Sequence, residues 1–297
     1  MKSHKNMLSP EEIRERVKTI IQLPALPTLA LEVVELVDNP KTSAQQLGRL
    51  ISADQALTAK VLKIANSPFY GFPKKISTVD FAIIVLGFDA LKEIVISIAL
   101  VSSLQKKADH YFNTTLFWEH SIATGTIARR LARDIGYRVT GEVFVAGLLH
   151  DMGISVLNKY FTSDFHRIID IVNETELSFL EAEESVLGAS HAEIGSWLGE
   201  RWNLPDHLVE AIYYHHQPAN AKINPQLVSI IHCADVFATK ISVEKIDYDK
   251  SLDFDPAALE ILKLNDDMLL QEYLHQYSDT LQHDLRETAI LSNLVSM

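Results

Sequence analysis

The sequence predicts an all-α protein. Helix-capping signals recur along the chain, apolar residues return every three or four positions, and we find no run with the strict apolar–polar alternation of a half-buried strand. The 297 residues, 47% of them hydrophobic, can bury a sizeable core. We therefore expect helical bundles without a sheet, arranged as one large or two modest domains.

Local signals mark the helices of the N-terminal part. A capping box with Pro10 at the first helical position opens at Ser9 and predicts a helix to about Ile21. A second capping box, Ser43 with Gln46, opens the next apolar stripe after the helix Thr28–Val37. Further helices are predicted around Leu57–Ile64, over Asp80–Leu86 and over Ala90–Leu104.

The charge balance changes in the polar segment Lys106–Tyr111, which follows these helices. Residues 1–107 hold 14 Lys and Arg against 10 Asp and Glu, whereas residues 108–297 hold 13 against 29. We place a domain boundary here, between an N-terminal helical domain, 1–107, and a C-terminal helical domain, 108–297. The helices predicted in the second domain are Thr114–Asp134, Glu142–Phe161, Ser163–Asn173, Ser178–Leu187, His191–Trp202, Asp206–His216, Pro225–Lys240 and about Asp266–Leu294.

Composition excludes several classes of function. The longest charge-free apolar stretches, Phe81–Phe88 and Ile94–Gln105, are shorter than the roughly 18–20 residues of a membrane span. The N-terminus lacks the apolar region of a secretory signal. Cys233 is the only cysteine, so an internal disulfide is excluded and a reducing cytoplasm is expected. The acidic C-terminal part argues against binding to a nucleic-acid backbone.

Histidines and aspartates recur at apolar helical positions of the C-terminal domain. They form two doublets and three single residues: His150-Asp151, His215-His216, His120, His191 and Asp235. A buried carboxylate or imidazole is costly unless a partner compensates it. Imidazole nitrogen and carboxylate oxygen together suit divalent Fe, Mn, Ni or Zn.

Each of these residues alone is better explained as a hydrogen-bonded core residue than as a metal ligand. As a set they favour a shared polar or metal site. Adjacent helical positions point about 100° apart, so the His215-His216 pair suits two ions, or one ion and one substrate group, better than a single ion.

The order of these residues resembles the ligand order of HD-superfamily phosphohydrolases, especially the HD-GYP cyclic-di-GMP phosphodiesterases. Four segments also resemble the HDOD domain, an HD-related output domain of bacterial signalling proteins. These segments are Leu23–Val37, Ile51–Gly71, Ile76–Gly87 and Ser190–Pro218. The resemblance covers roughly residues 15–240 and implies an N-terminal helical bundle packed against an HD-like helical bundle.

The resemblance implies a metal site with one or two divalent ions, Fe or Mn. Asp151 would bridge two ions and take the catalytic role, in which the ions deprotonate a water aimed at a phosphoester. The implied ligands are His120, His150, Asp151, His191, His215, His216 and Asp235.

Three positions depart from the HD-GYP pattern. Ile154 stands where that pattern has a lysine that would contact a phosphate. Gln217–Asn220 replaces the Gly-Tyr-Pro signature, and Leu116 replaces an acidic ligand of some trinuclear sites. Arg129, Arg130 and Arg133 could contact phosphate, or simply form a solvated helix face.

We therefore expect a bacterial cytoplasmic regulatory module that acts through protein partners and retains a metal site. A metal-dependent phosphohydrolase acting on a nucleotide or cyclic dinucleotide is the alternative, and such a nucleotide would then be a ligand. An inert scaffold whose histidines hydrogen-bond one another is a third interpretation. The sequence leaves the metal, the substrate and the partner open.

Overall fold

The structure is a computed structural model, and it describes residues 28–66, 74–104, 110–137, 140–202, 204–241 and 252–278, together with Glu15. These residues form helices, turns and loops and include no strand, which confirms the all-α class. They divide into two compact units, one within 28–104 and one within 110–278. The predicted boundary between residues 107 and 108 lies outside the described residues.

The first unit is built from short helices with well-defined ends. Ser43 and Gln46 form the predicted capping box, and Gly87, at φ 86°, separates the last two helices. Leu47, Ile51 and Val61 are fully buried in its core. Its helices are α1 (Thr28–Asp38), α2 (Ala44–Ser52), α3 (Gln55–Ala65), α4 (Val79–Leu86) and α5 (Phe88–Leu104). The helix predicted from Ser9 lies outside the described residues.

The second unit holds the predicted HD-like bundle. Its helices are α6 (Thr114–Asp134), α7 (Thr140–Leu149), α8 (Met152–Tyr160), α9 (Thr162–Glu174), α10 (Phe179–Leu187), α11 (His191–Arg201), α12 (Asp206–Tyr214), α13 (Pro225–Ile241) and α14 (Pro256–Leu262). Residues 218–220 form one turn of 3₁₀ helix, and residues 267–278 are helical.

Glycines allow the helices of this unit to approach closely. A Cβ at Gly147 of α7 would lie 2.6 Å from the Cα of Gly125 on α6, so these two helices are in backbone contact. α6 also packs against α13, and α11 packs against both α8 and α12. The core of the bundle therefore lies where α6, α7 and α13 meet, and three of the seven predicted site residues fall there: His120, His150 and Asp235.

One sequence prediction is wrong in this unit, and one helix was missed. The segment Glu142–Phe161 is not one helix, because α7 ends at Leu149 and α8 begins at Met152. α14 was not predicted, although Asp255 caps it by accepting a hydrogen bond from Ala257 and Pro256 occupies its first turn. No described helix has the length and apolar character needed to cross a bilayer.

Candidate metal centre

The His150-Asp151 pair lies between two helices rather than inside one. His150 follows the last residue of α7, and its ring Nδ1 donates to the carbonyl oxygen of Gly147 at 2.7 Å. Asp151 directly precedes α8 but makes no side-chain capping bond with it. Both carboxylate oxygens of Asp151 are therefore available to the neighbouring imidazoles.

The His215-His216 pair lies at the end of α12, so the predicted helix Asp206–His216 ends slightly earlier, at Tyr214. His215 Nδ1 donates to the carbonyl oxygen of Ile212 at 2.7 Å. His232 Nδ1 in turn donates to the carbonyl oxygen of His215 at 2.7 Å, and its Nε2 accepts from the backbone N–H of Asp255 at 2.8 Å. These bonds fix the backbone that presents the pair.

The structure brings all seven predicted residues together in two groups. In the first, here the His120 group, the ligand atoms of three residues lie within 4.8 Å of one another: His120, His150 and Asp235. In the second, the His191 group, the same holds for four residues: Asp151, His191, His215 and His216. α6 supplies His120, α11 supplies His191 and α13 supplies Asp235.

Asp151 links the two groups through its two oxygens. Oδ2 lies 3.2 Å from Nε2 of His150 and 3.9 Å from Nε2 of His120. Oδ1 lies 3.3 Å from Nε2 of His191 and 3.5 Å from Nε2 of His215. On the far side of the His120 group, Oδ1 of Asp235 lies 2.9 Å from His120 Nε2 and 3.5 Å from His150 Nε2.

The hydrogen bonds select the tautomers of three histidines. A carbonyl oxygen only accepts, so His150 and His215 must carry a proton on Nδ1. His191 Nδ1 faces the Glu183 carboxylate at 2.8 Å and donates in the same way. In the neutral form of each ring, the Nε2 lone pair therefore points into the cluster, which is the state in which imidazole binds a metal.

Imidazole nitrogens approach one another closely inside the His191 group. Nε2 of His191 lies 3.4 Å from Nε2 of His215 and 3.1 Å from Nε2 of His216. The His191 and His215 rings already hold their protons on Nδ1, so two lone pairs face each other unless a proton or a cation lies between them. A shared cation relieves that repulsion.

The pKa shifts in the cluster favour ionised carboxylates on Asp151 and Asp235 and a neutral His216. Burial would raise the pKa of Asp151, but the neighbouring His150 and the hydrogen bond from His191 hold it well below its usual range. Burial likewise opposes ionisation of Asp235, yet His150 and His120 lower its pKa. Burial together with the neighbouring imidazoles lowers the pKa of His216, which favours its neutral, metal-binding form.

The donor set fits a transition-metal ion. The relative exposures of His120, His150, Asp151, His191, His215 and Asp235 lie between 0% and 4%. Among the described residues, Nε2 of His150 and Oδ2 of Asp151 lie 3.2 Å apart without a well-directed hydrogen bond, and Oδ2 of Asp235 has no hydrogen-bond partner. Buried polar atoms without partners are costly, and nitrogen and oxygen donors in this arrangement could hold one divalent ion in each group.

Glu183 of α10 is a polar residue of the site that sequence reasoning missed. One carboxylate oxygen, Oε2, accepts both from the backbone N–H of His191 at 3.1 Å and from its ring Nδ1 at 2.8 Å. Glu183 is fully buried beside Phe179, Ala182 and Val186. A charged residue on the apolar stripe of an amphipathic helix was the available signal.

Ile154 and Arg130 occupy two positions that the sequence analysis considered for contacts with phosphate. Ile154 is only 1% exposed, so an apolar side chain fills the interior where the HD-GYP pattern has its lysine. The guanidinium of Arg130 stacks over the ring of Tyr277, with Cζ 5.5 Å from the ring centroid. That contact ties α6 to the helical segment 267–278.

Residues 23–218 match the HDOD domain model. The chain belongs to the HDOD family. An HDOD domain protein of unknown function from Geobacter sulfurreducens superposes on this chain with a TM-score of 0.78 and 27% identity, covering 93% of this chain and 95% of that one. The similarity therefore extends over nearly the whole HDOD chain.

Two further proteins are similar to this chain. A protein of Shewanella amazonensis SB2B provisionally assigned as a phosphohydrolase shares the fold, with a TM-score of 0.74 at 24% identity over 95% of this chain and 97% of that one. An uncharacterized protein of Treponema pallidum (strain Nichols) is 28% identical over 203 residues, 68% of this chain. The match spans only 39% of that longer protein.

Proposed function

We propose that this chain is a bacterial regulatory HDOD module that holds two divalent metal ions and acts through protein partners. The observation that carries the metal part is the orientation of Asp151, whose Oδ1 faces the His191 group and whose Oδ2 faces the His120 group. Asp151 would thus be able to hold an ion in each group. A cytoplasmic location, expected from the single cysteine, belongs to the same proposal.

The ligands favour iron or manganese. Each group combines imidazole nitrogens with a carboxylate, a donor set that also suits zinc but offers no soft sulfur ligand from the described residues around it. When bound, two such ions can polarise a phosphoester and deprotonate a water. The chain's own contribution is to fix the Nε2 atoms and carboxylate oxygens within a dry interior.

Two features support a regulatory role over hydrolysis. Six of the seven predicted ligands are at most 4% exposed. The surrounding helices would therefore have to move before an anionic substrate could reach the ions. The buried Ile154 gives no charge to a phosphate. A buried centre of this kind stabilises the bundle that carries it, because ions that bind only the folded state add to its stability.

A metal-dependent phosphohydrolase acting on a nucleotide or cyclic dinucleotide is the second candidate. The observation in its favour is the same bridging geometry, since two ions joined by one carboxylate form a common hydrolytic centre. His216 is less buried than the other histidines and would be the ligand nearest to solvent.

Elemental analysis of protein purified without a chelator or a histidine tag tests the metal centre. We expect close to two transition-metal ions per chain, and neither ion in Asp151→Ala. Asp253→Asn, which alters a carboxylate whose side chain is 80% exposed, is the matched control and should keep both ions. Wild-type protein that stays metal-free after reconstitution with iron and manganese would overturn the proposal.

Assays on the loaded protein separate the two candidate functions. The regulatory proposal predicts no metal-dependent turnover of cyclic-di-GMP or of a generic phosphodiester. It also predicts that partners retained by the loaded protein at stoichiometric levels are lost with Asp151→Ala. Turnover that disappears in Asp151→Ala while Asp253→Asn remains active would replace the regulatory proposal with the enzymatic one.

A further inference from the structure

The contact between Glu183 and His191 joins a buried carboxylate to a predicted metal ligand. Glu183 lies on α10 and His191 is the first residue of α11. Oε2 of Glu183 receives two hydrogen bonds from the same residue, one from the backbone N–H at 3.1 Å and one from ring Nδ1 at 2.8 Å. The backbone bond fixes the start of α11, and the ring bond fixes the orientation of the imidazole.

The same contact decides which nitrogen of His191 faces the centre. Because Oε2 holds the Nδ1 proton, the lone pair of the neutral ring is on the opposite nitrogen, Nε2, which lies 3.3 Å from Oδ1 of Asp151. The carboxylate also makes the imidazole a stronger donor through the ring, as carboxylate–histidine–metal arrangements do. Without it, Nε2 could carry the proton and could not bind an ion.

Glu183 is too deeply buried to be explained by the two hydrogen bonds alone. Its side chain has no solvent exposure, and Oε1 has no hydrogen-bond partner among the described residues. A buried carboxylate needs a compensating charge, which is supplied through the His191 ring either by a second proton on that ring or by a metal cation at its Nε2. A cation on the far side of the His191 ring would compensate it by polarising the Nδ1–H bond.

The geometry points to Glu183 as a positioning residue that selects the metal-binding tautomer of His191 and thereby sets the affinity of the ion in the His191 group. This inference rests on the proposed metal centre and goes beyond it, because it assigns a role to a residue that binds neither ion. Glu183 acts on the ion only through His191. Its effect should therefore disappear when His191 is absent.

A double-mutant cycle tests this role. Metal-free protein is titrated with Zn²⁺ in competition with a chromophoric chelator, in the wild type, Glu183→Gln, Glu183→Leu, His191→Ala and the double variants. We expect Glu183→Leu to weaken the binding of one of the two ions by about 10- to 100-fold. Glu183→Gln, which keeps an oxygen acceptor but not the charge, should weaken it by a smaller factor. In the His191→Ala background, both Glu183 substitutions should leave the affinity for the remaining ion unchanged.

The controls keep the outcomes distinct. Glu184→Gln changes the adjacent, exposed glutamate of α10 and should leave both affinities unchanged. If Glu183→Leu does not fold, the near-isosteric Glu183→Gln carries the test. Two ions bound with unchanged affinity in Glu183→Gln and Glu183→Leu would overturn the positioning role alone. An equal loss of affinity for both ions, or a loss that persists without His191, would show that Glu183 has a merely structural role. Either result would also overturn the positioning role. A wild-type protein that binds no Zn²⁺ would overturn this inference together with the metal centre.

Discussion

Oδ1 of Asp151 lies 3.3 Å from Nε2 of His191, and both residues stand at the start of a helix, α8 and α11. The two helix starts meet at Gly153. A Cβ built there would overlap the carbonyl oxygen of His191 and lie 2.9 Å from the backbone nitrogen of Gly195. The distance between the carboxylate and the imidazole therefore depends on a residue without a side chain.

Gly153→Ala should destabilise the fold and weaken the binding of the ion in the His191 group. The added methyl meets backbone atoms, which cannot move aside as a flexible side chain can, so we expect a loss of about 1–3 kcal/mol in the free energy of unfolding. Denaturant unfolding monitored by circular dichroism measures the loss, and chelator competition measures the affinity.

Gly199→Ala is the control, since its Cβ would lie 3.3 Å from a methyl group of Val209. It should change stability by less than about 1 kcal/mol, because the gain in helix propensity offsets the close contact. A Gly153→Ala protein as stable as Gly199→Ala would contradict a close backbone contact at Gly153.

Substitutions in the two ligand groups should remove ions independently. His120→Ala takes a ligand from the group that Oδ2 of Asp151 faces, and His216→Ala takes one from the group that Oδ1 faces. Each variant should retain about one ion per chain, whereas Asp151→Ala should retain none. Elemental analysis of the three proteins, purified in parallel, provides the comparison. Loss of both ions in either histidine variant would show that the cluster holds its ions as one unit.

The seven residues could be found from sequence because each places a polar group within or directly beside an apolar helical stretch. Asp235, for example, interrupts the buried run of α13, and His120 follows Phe117 and Trp118 on α6. The structure shows that these residues meet. That they bind metal stays a prediction.

Other features could not be found in this way. The break at His150-Asp151 escaped prediction because no glycine or proline lies between Leu149 and Met152, and the apolar pattern continues into α8. α14 was missed because the capping signal of Asp255 and Pro256 lies in a stretch of acidic residues. The role of Glu183 depends on its contact with His191 at the start of α11, which no local pattern of charge or periodicity specifies.

Cys233 should be unreactive in the folded protein. It is fully buried, and burial, with the Asp255 carboxylate as a smaller cause, raises the pKa of its thiol to about 12. The thiolate is the reactive form, so labelling by a disulfide reagent at pH 8 should be slow in buffer and fast in denaturant. Because the unfolded thiol ionises near pH 9 and the folded one does not, the contribution of Cys233 to stability should fall as pH rises from about 9 to 12. Since this is the only cysteine, rapid labelling under native conditions would contradict its burial directly.

Metal binding should release protons near neutral pH. Burial opposes protonation of His191, but the carboxylates of Glu183 and Asp151 outweigh it and raise the pKa to about 10. For His150, burial likewise acts against protonation, yet Asp151 and Asp235 raise the pKa well above its usual range. In the metal-free protein at pH 7 both rings are therefore cationic, and both must lose the Nε2 proton before they bind an ion.

The expected result is the release of about two protons per chain at pH 7 and an apparent affinity that rises with pH, by roughly tenfold per pH unit for each proton displaced. His215 adds none, because burial lowers its pKa and leaves it neutral. Calorimetric titration with Zn²⁺ in buffers of different ionisation enthalpy counts the protons, and Asp151→Ala should bind no ion and release none. Binding that is independent of pH between 6 and 8 would show that His150 and His191 are already neutral in the metal-free protein.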